Sequence, residues 1–77
     1  MPRGLNNWTA EDATRFLKAR GFVFNHAKGS HCFYAGNVNG VARQVCIPFH
    51  GAKSLNPRTL RGIILQSGIP KSDWLKN

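Results

Sequence analysis

From Ala13 to Ser72 the chain contains no aspartate and no glutamate; its acids are Glu11, Asp12 and Asp73. That gap excludes a carboxylate pair for glycosidic chemistry, or an acidic cage for Mg²⁺, from the interior of the sequence. Proton transfer there must fall to His26, His31 or His50. Long hydrophobic runs are missing as well. No stretch approaches the roughly 18 apolar residues of a membrane span, and the first residues lack the apolar segment of a secretory signal. A cytoplasmic protein without a membrane anchor is expected. Cysteine is scarce: Cys32 and Cys46 can approach each other only if their segments form a hairpin, and a reducing compartment would keep both as thiols. Two cysteines without paired Cys or His spacing make a poor zinc site, so no metal or other cofactor is expected. Repeats, low-complexity tracts and domain linkers are also lacking, and 77 residues make one small domain with a single core.

What fills the acid-free interval is base. Arg15, Lys18, Arg20, Lys28, Arg43, Lys53, Arg58, Arg61 and Lys71 all lie in it, and the whole chain carries a formal charge of +8. Such a surface attracts polyanions, and phosphate neutralisation by Lys and Arg is the usual source of nucleic-acid affinity. A basic surface that merely adheres to ribosomes or membranes fits the charge equally well.

Local signals order the elements. Thr9 can cap a helix, with Asp12 at the N3 position reaching back and both acids at the positive end of the dipole. Trp8 and Ala13 form a hydrophobic staple, Ala13, Phe16 and Leu17 form the apolar stripe, and Gly21 stops the helix. A strand is expected over Phe22–Ala27, with Phe22, Phe24 and His26 on one face. Lys28-Gly29-Ser30 supplies a turn, His31–Ala35 a second strand, Gly36–Gly40 a hairpin loop, and Val41–Pro48 a third strand. In that strand Val41, Val45 and Ile47 share a face with Arg43, an awkward charge that calls for a bulge or an edge position. Asn56-Pro57 then caps a second helix whose stripe is Leu60, Ile63 and Ile64, and Gly68 and Pro70 end it. One further turn over Ser72–Lys76 is docked by Trp74. The expected fold is α+β, α-β-β-β-α, with two helices on one face of a three-stranded antiparallel sheet and the other face free for a ligand.

Lys28-Gly29-Ser30-His31 stands at the start of the second strand, where Gly29 lets the backbone approach a ligand and Lys28 offers a charge to a phosphate. His31 can exchange a proton at cytosolic pH; taken alone, the motif also fits a solvated strand histidine. His50, in Pro48-Phe49-His50-Gly51, reads either as a loop histidine bonded to a carbonyl or as a second proton-transfer group. His26 reads as a structural or surface residue. Cys32 cannot form a dyad with His31, because adjacent strand residues point to opposite faces.

Gly21-Phe22, Lys28-Gly-Ser-His31, Pro48-Phe-His50-Gly51, Leu55-Asn-Pro-Arg-Thr-Leu60-Arg61 and Gly68-Ile69 together resemble the HicA (YcfA-like) toxin family, over about residues 9–69. The family's second histidine after Gly-Ser is Cys32 here, and its Glu-Leu and Gly-Thr-Leu positions read Ser54-Leu55 and Arg58-Thr59-Leu60, so of the paired histidines His31 alone can inherit the role. The resemblance implies a double-stranded-RNA-binding-like fold in a single toxin domain over 1–77, with 70–77 a short C-terminal extension. It also implies a ribosome-independent mRNA endoribonuclease of a toxin–antitoxin pair, restrained by a HicB-type antitoxin. On that reading His31 is the general base and His50 the candidate general acid. Lys28, Gly29, Ser30, Lys53 and Arg61 hold RNA phosphates, and no metal takes part. The alternative is a non-catalytic double-stranded-RNA-binding module, which needs the same charge and fold but no histidine.

Overall fold

Local chain chemistry starts the first two helices where the sequence predicts. A computed structural model describes residues 7–49 and 53–76. Helix α1 spans Ala10–Ala19 and opens on a reciprocal capping box: Asp12 N–H donates to Thr9 Oγ1 (3.1 Å), and Thr9 N–H donates to Asp12 Oδ2 (3.0 Å). It closes with Gly21 at φ 89°, while Phe22 N–H reaches Leu17 C=O and Gly21 N–H reaches Lys18 C=O. This paired bonding satisfies two carbonyls that the helix end would otherwise orphan. Helix α2, Pro57–Ser67, begins with Asn56 accepting from Arg58 N–H and ends at Gly68 in the left-handed region, φ 72°. A third helix, α3 over Lys71–Leu75, follows Pro70.

Strands β1 (Val23–Lys28), β2 (His31–Val38) and β3 (Val41–Pro48) form one antiparallel sheet in that order. The arrangement is the expected α-β-β-β-α with one short helix added. The β2–β3 turn is narrower than the sequence suggests: Asn39 and Gly40, both at positive φ, close a two-residue loop, and β2 runs on through Gly36 to Val38. Gly36 is a packing glycine, not a turn glycine. A Cβ built there would lie 2.8 Å from the ring of Phe22, which fills the space.

The first strand brings a larger correction. Its pairing with β2 slips by one residue between Phe24 and His26, leaving Asn25 as the extra residue of a β-bulge. Because strand side chains alternate, one inserted residue exchanges the faces of everything after it. Phe22 and Phe24 therefore keep to the helix side, where Phe24 meets Tyr34 edge-on at 5.8 Å. His26 does not join them. It pairs with Phe33 and goes to the opposite face.

Helices and sheet enclose a core of Trp8, Phe16, Leu17, Phe22, Tyr34, Val45, Ile47, Leu60, Ile63, Ile64 and Trp74, among others. Its aromatic centre is Phe16 stacked on Trp74 at 4.1 Å, with Trp8 against both. Arg20 fastens the same corner, pairing with Asp73 at 3.1 Å and lying 4.9 Å above the Phe16 ring. Arg43 does sit on the core side of β3, and the pairing with β2 is uninterrupted, so the edge position accommodates it. Its guanidinium lies over Gly68, close enough that a Cβ there would be 2.6 Å from Nε. Helix α2 has no basic residue in its own last turn, and Arg43 brings a cation to its negative end from across the domain. The outer edge of β3 is covered in part by Gln66, whose Oε1 accepts from Cys46 N–H at 2.9 Å.

Candidate active site

The face of the sheet away from the helices presents residues in rows, because directly paired residues share a face. The row at the β1–β2 turn is Lys28, His31 and Pro48; the next is His26, Phe33 and Cys46; the third is Val23, Ala35 and Gln44. His31 and Lys28 are both exposed, with His31 as the first residue of β2. Gly29 bends the turn at φ 59° with open space around its α-carbon. Ser30 C=O accepts from Phe49 N–H at 2.8 Å, which ties this turn to the chain leaving β3. The sequence motif thus becomes a braced corner with an accessible imidazole.

Pro48 carries the site round the end of the sheet. It faces a cleft of about 480 Å³ lined also by Lys53, Ser54, Leu55, Asn56 and Thr59. Asn56 caps α2, so the positive end of that helix opens into the cleft beside the Lys53 ammonium. The cleft wall is held by main-chain bonding: Leu55 N–H donates to Trp8 C=O, and Thr9 bridges to Ser54. Lys28 thus stands beside His31 at one end of the row, and Lys53 lines the cleft that Pro48 enters at the other.

Each of the described acids is paired with an arginine. Glu11 and Asp12 pair with Arg15, and Asp73 pairs with Arg20. Lys28, Lys53, Arg58 and Arg61 have no acidic partner among the described residues, so their charge is available to an external anion.

Of the residues expected at the site, Lys28, Gly29, Ser30 and His31 come together, and Lys53 joins them through the Pro48 cleft. Arg61 does not. It lies on α2 against Ile64, Leu65 and Lys71, on a separate surface depression. His50 and Gly51 lie outside the described residues. Cys32 and Cys46 are free thiols on opposite faces of the sheet, with Cys32 packed against the core. Burial, and then the neighbouring Cys32, push the Cys46 thiol above its ordinary range, which disfavours the thiolate a nucleophile needs. Among the described residues no three His, Cys, Asp or Glu side chains are grouped to hold a metal ion.

Sequence reasoning missed His26 and Phe33 as members of this face. Phe33 was within reach, since it stands two residues from His31 in the same strand. His26 was not, because its face depends on the bulge.

A small α-β-β-β-α domain with an acid-free, histidine-bearing corner is the class that fold and site define. Residues 10–69 match the sequence model of one family, HicA toxin of bacterial toxin–antitoxin systems. The chain belongs to the HicA toxin family. No curated protein and no solved structure matches it significantly. Membership gives it a toxin's role and an antitoxin as partner. No helix among the described residues is long and apolar enough to cross a membrane.

Proposed function

We infer that this toxin is a metal-independent, ribosome-independent endoribonuclease that cuts mRNA at the His31 corner. The observation that carries the reading is the placement of His31: an exposed imidazole beside Lys28, on a face without carboxylates, at the position of the family's Gly-Ser-His motif.

In the reaction, His31 takes the proton of a ribose 2′-hydroxyl as the 2′-oxygen attacks the adjoining phosphorus. The bond from phosphorus to the 5′-oxygen then breaks, and that oxygen accepts a proton. The products are a 2′,3′-cyclic phosphate and a free 5′-hydroxyl. Lys28 and Lys53 stabilise the charge that accumulates on the phosphoryl oxygens, while the backbone at Gly29 and Ser30 admits the strand closely. His50 is the proposed proton donor to the leaving oxygen. Arg61, remote from the corner, attracts RNA at longer range. The need for a 2′-hydroxyl makes RNA the substrate. A HicB-type antitoxin that covers the corner with acidic groups would keep the enzyme silent in the cytoplasm.

Replacing His31 with alanine tests the reading. The variant should melt with the wild type and retain RNA, yet lose about a hundred- to ten-thousandfold in cleavage rate and no longer arrest growth. Wild-type cleavage should continue in EDTA and cease on strands with 2′-deoxy linkages. A folded His31→Ala protein that cuts at the wild-type rate would overturn the mechanism, and a wild type that binds duplex RNA but cuts nothing would leave a binding module.

A further inference from the structure

Two rings on the open face take no part in the chemistry just described. His26 stacks on Phe33 with ring centroids 4.4 Å apart and planes 9° from parallel, in the row next to Lys28, His31 and Pro48. His26 is exposed and Phe33 half-buried, so π surface reaches solvent. The imidazole is anchored: His26 Nδ1 lies 2.9 Å from Asn25 Oδ1. The bulge at Asn25 thus turns His26 to this face and supplies the group that holds it there.

Packing does not explain the pair. The core is on the other side of the sheet, and an exposed stack of this kind costs side-chain freedom with little burial in return. Binding explains it. Proteins that hold single strands combine aromatic platforms for the bases with cations for the backbone, and both stand here one row apart. His26 and His31 are diagonal cross-strand neighbours, a relation that spans about 7–8 Å. A base stacked on the pair and a phosphate beside His31 can then belong to adjoining nucleotides.

We propose that His26 and Phe33 form a base-stacking subsite that makes single-stranded RNA, and not duplex, the ligand of the open sheet face; the proposal rests on RNA occupying the His31 corner. A duplex cannot use the platform, since its bases are already stacked on one another and offer only their edges. A stacked base fixes the strand's register on the sheet and presents the adjoining phosphate to His31. Stacking tolerates every base, because each has a π face, so the subsite selects strandedness more than sequence.

The test is RNA affinity in a His31→Ala background, where the strand stays intact, read by anisotropy with a short labelled single strand of mixed sequence and with its duplex. Phe33→Leu and His26→Leu should each weaken single-strand binding by roughly ten- to a hundredfold, with duplex binding and melting temperature unchanged. Phe33→Tyr and His26→Phe, which keep a flat ring, should restore most of the lost affinity. Single-strand affinity unchanged in Phe33→Leu overturns the proposal, whether or not antitoxin binding falls. So does a His26→Phe protein that binds as poorly as His26→Leu, because the imidazole would then be needed for its nitrogen atoms. The nuclease reading fails separately: a wild type that binds single strands through these rings but cuts none retires the nuclease and keeps the subsite.

Discussion

Trp74 lies beyond the segment that matches the family, yet it completes the core. It is fully buried, stacked on Phe16 and tilted against Trp8 at 5.6 Å. An aromatic side chain of this size buries about 150–250 Å², which at roughly 25 cal/mol per Å² is about 4–6 kcal/mol. Measured Trp-to-Ala truncations cost about 3–5 kcal/mol. A 77-residue domain, at roughly 0.05–0.15 kcal/mol per residue, holds only about 4–12 kcal/mol in all. Trp74→Ala should therefore remove about a quarter or more of the stability and lower the melting temperature by at least about 12 °C. The effect should reach the site, because Trp8, which would lose one of its two ring partners, supplies the carbonyl that holds Leu55 beside Lys53. Thermal and urea unfolding, followed by circular dichroism, measure the loss. Asp73→Asn is the control: it breaks a partly exposed pair with Arg20 and should cost less than about 1 kcal/mol. A Trp74→Ala protein melting within about 4 °C of wild type would show that the 70–76 segment is not docked as described.

Gly36→Ala should destabilise by about 1–3 kcal/mol, because its Cβ would meet the Phe22 ring at 2.8 Å and that ring is buried with nowhere to retreat; an unchanged melting curve would disprove this contact. Lys28→Ala should weaken RNA binding across all sequences and reduce the slope of log affinity against log salt by about one, as a lost phosphate contact requires. A salt slope equal to the wild type's would remove Lys28 from the phosphate path.

Much of this protein follows from residues that act on their immediate neighbours. The capping box of Thr9 and Asp12, the Asn56-Pro57 start and the stop at Gly68 each involve groups within a few positions, so their geometry is implicit in their order. The alternation of Val45 and Ile47 and the stripe of Leu60, Ile63 and Ile64 likewise announced the buried faces, and β3 spans the predicted Val41–Pro48. Lys28-Gly-Ser-His31 was legible as a turn between strands, and a two-residue turn joining paired strands leaves its flanking side chains, Lys28 and His31, on one face. Tertiary structure decided the rest. The bulge at Asn25 exists only in the pairing of β1 with β2, and it alone sends His26 to the face of His31. Gly36 became a packing position because Phe22, fourteen residues earlier, leans across it. Arg43 looked misplaced on an apolar face until α2 ended beneath its guanidinium. Arg61 left the site for the equivalent reason: where a helix packs sets which of its residues face the cleft, and strand pairing and helix docking depend on partners distant in sequence.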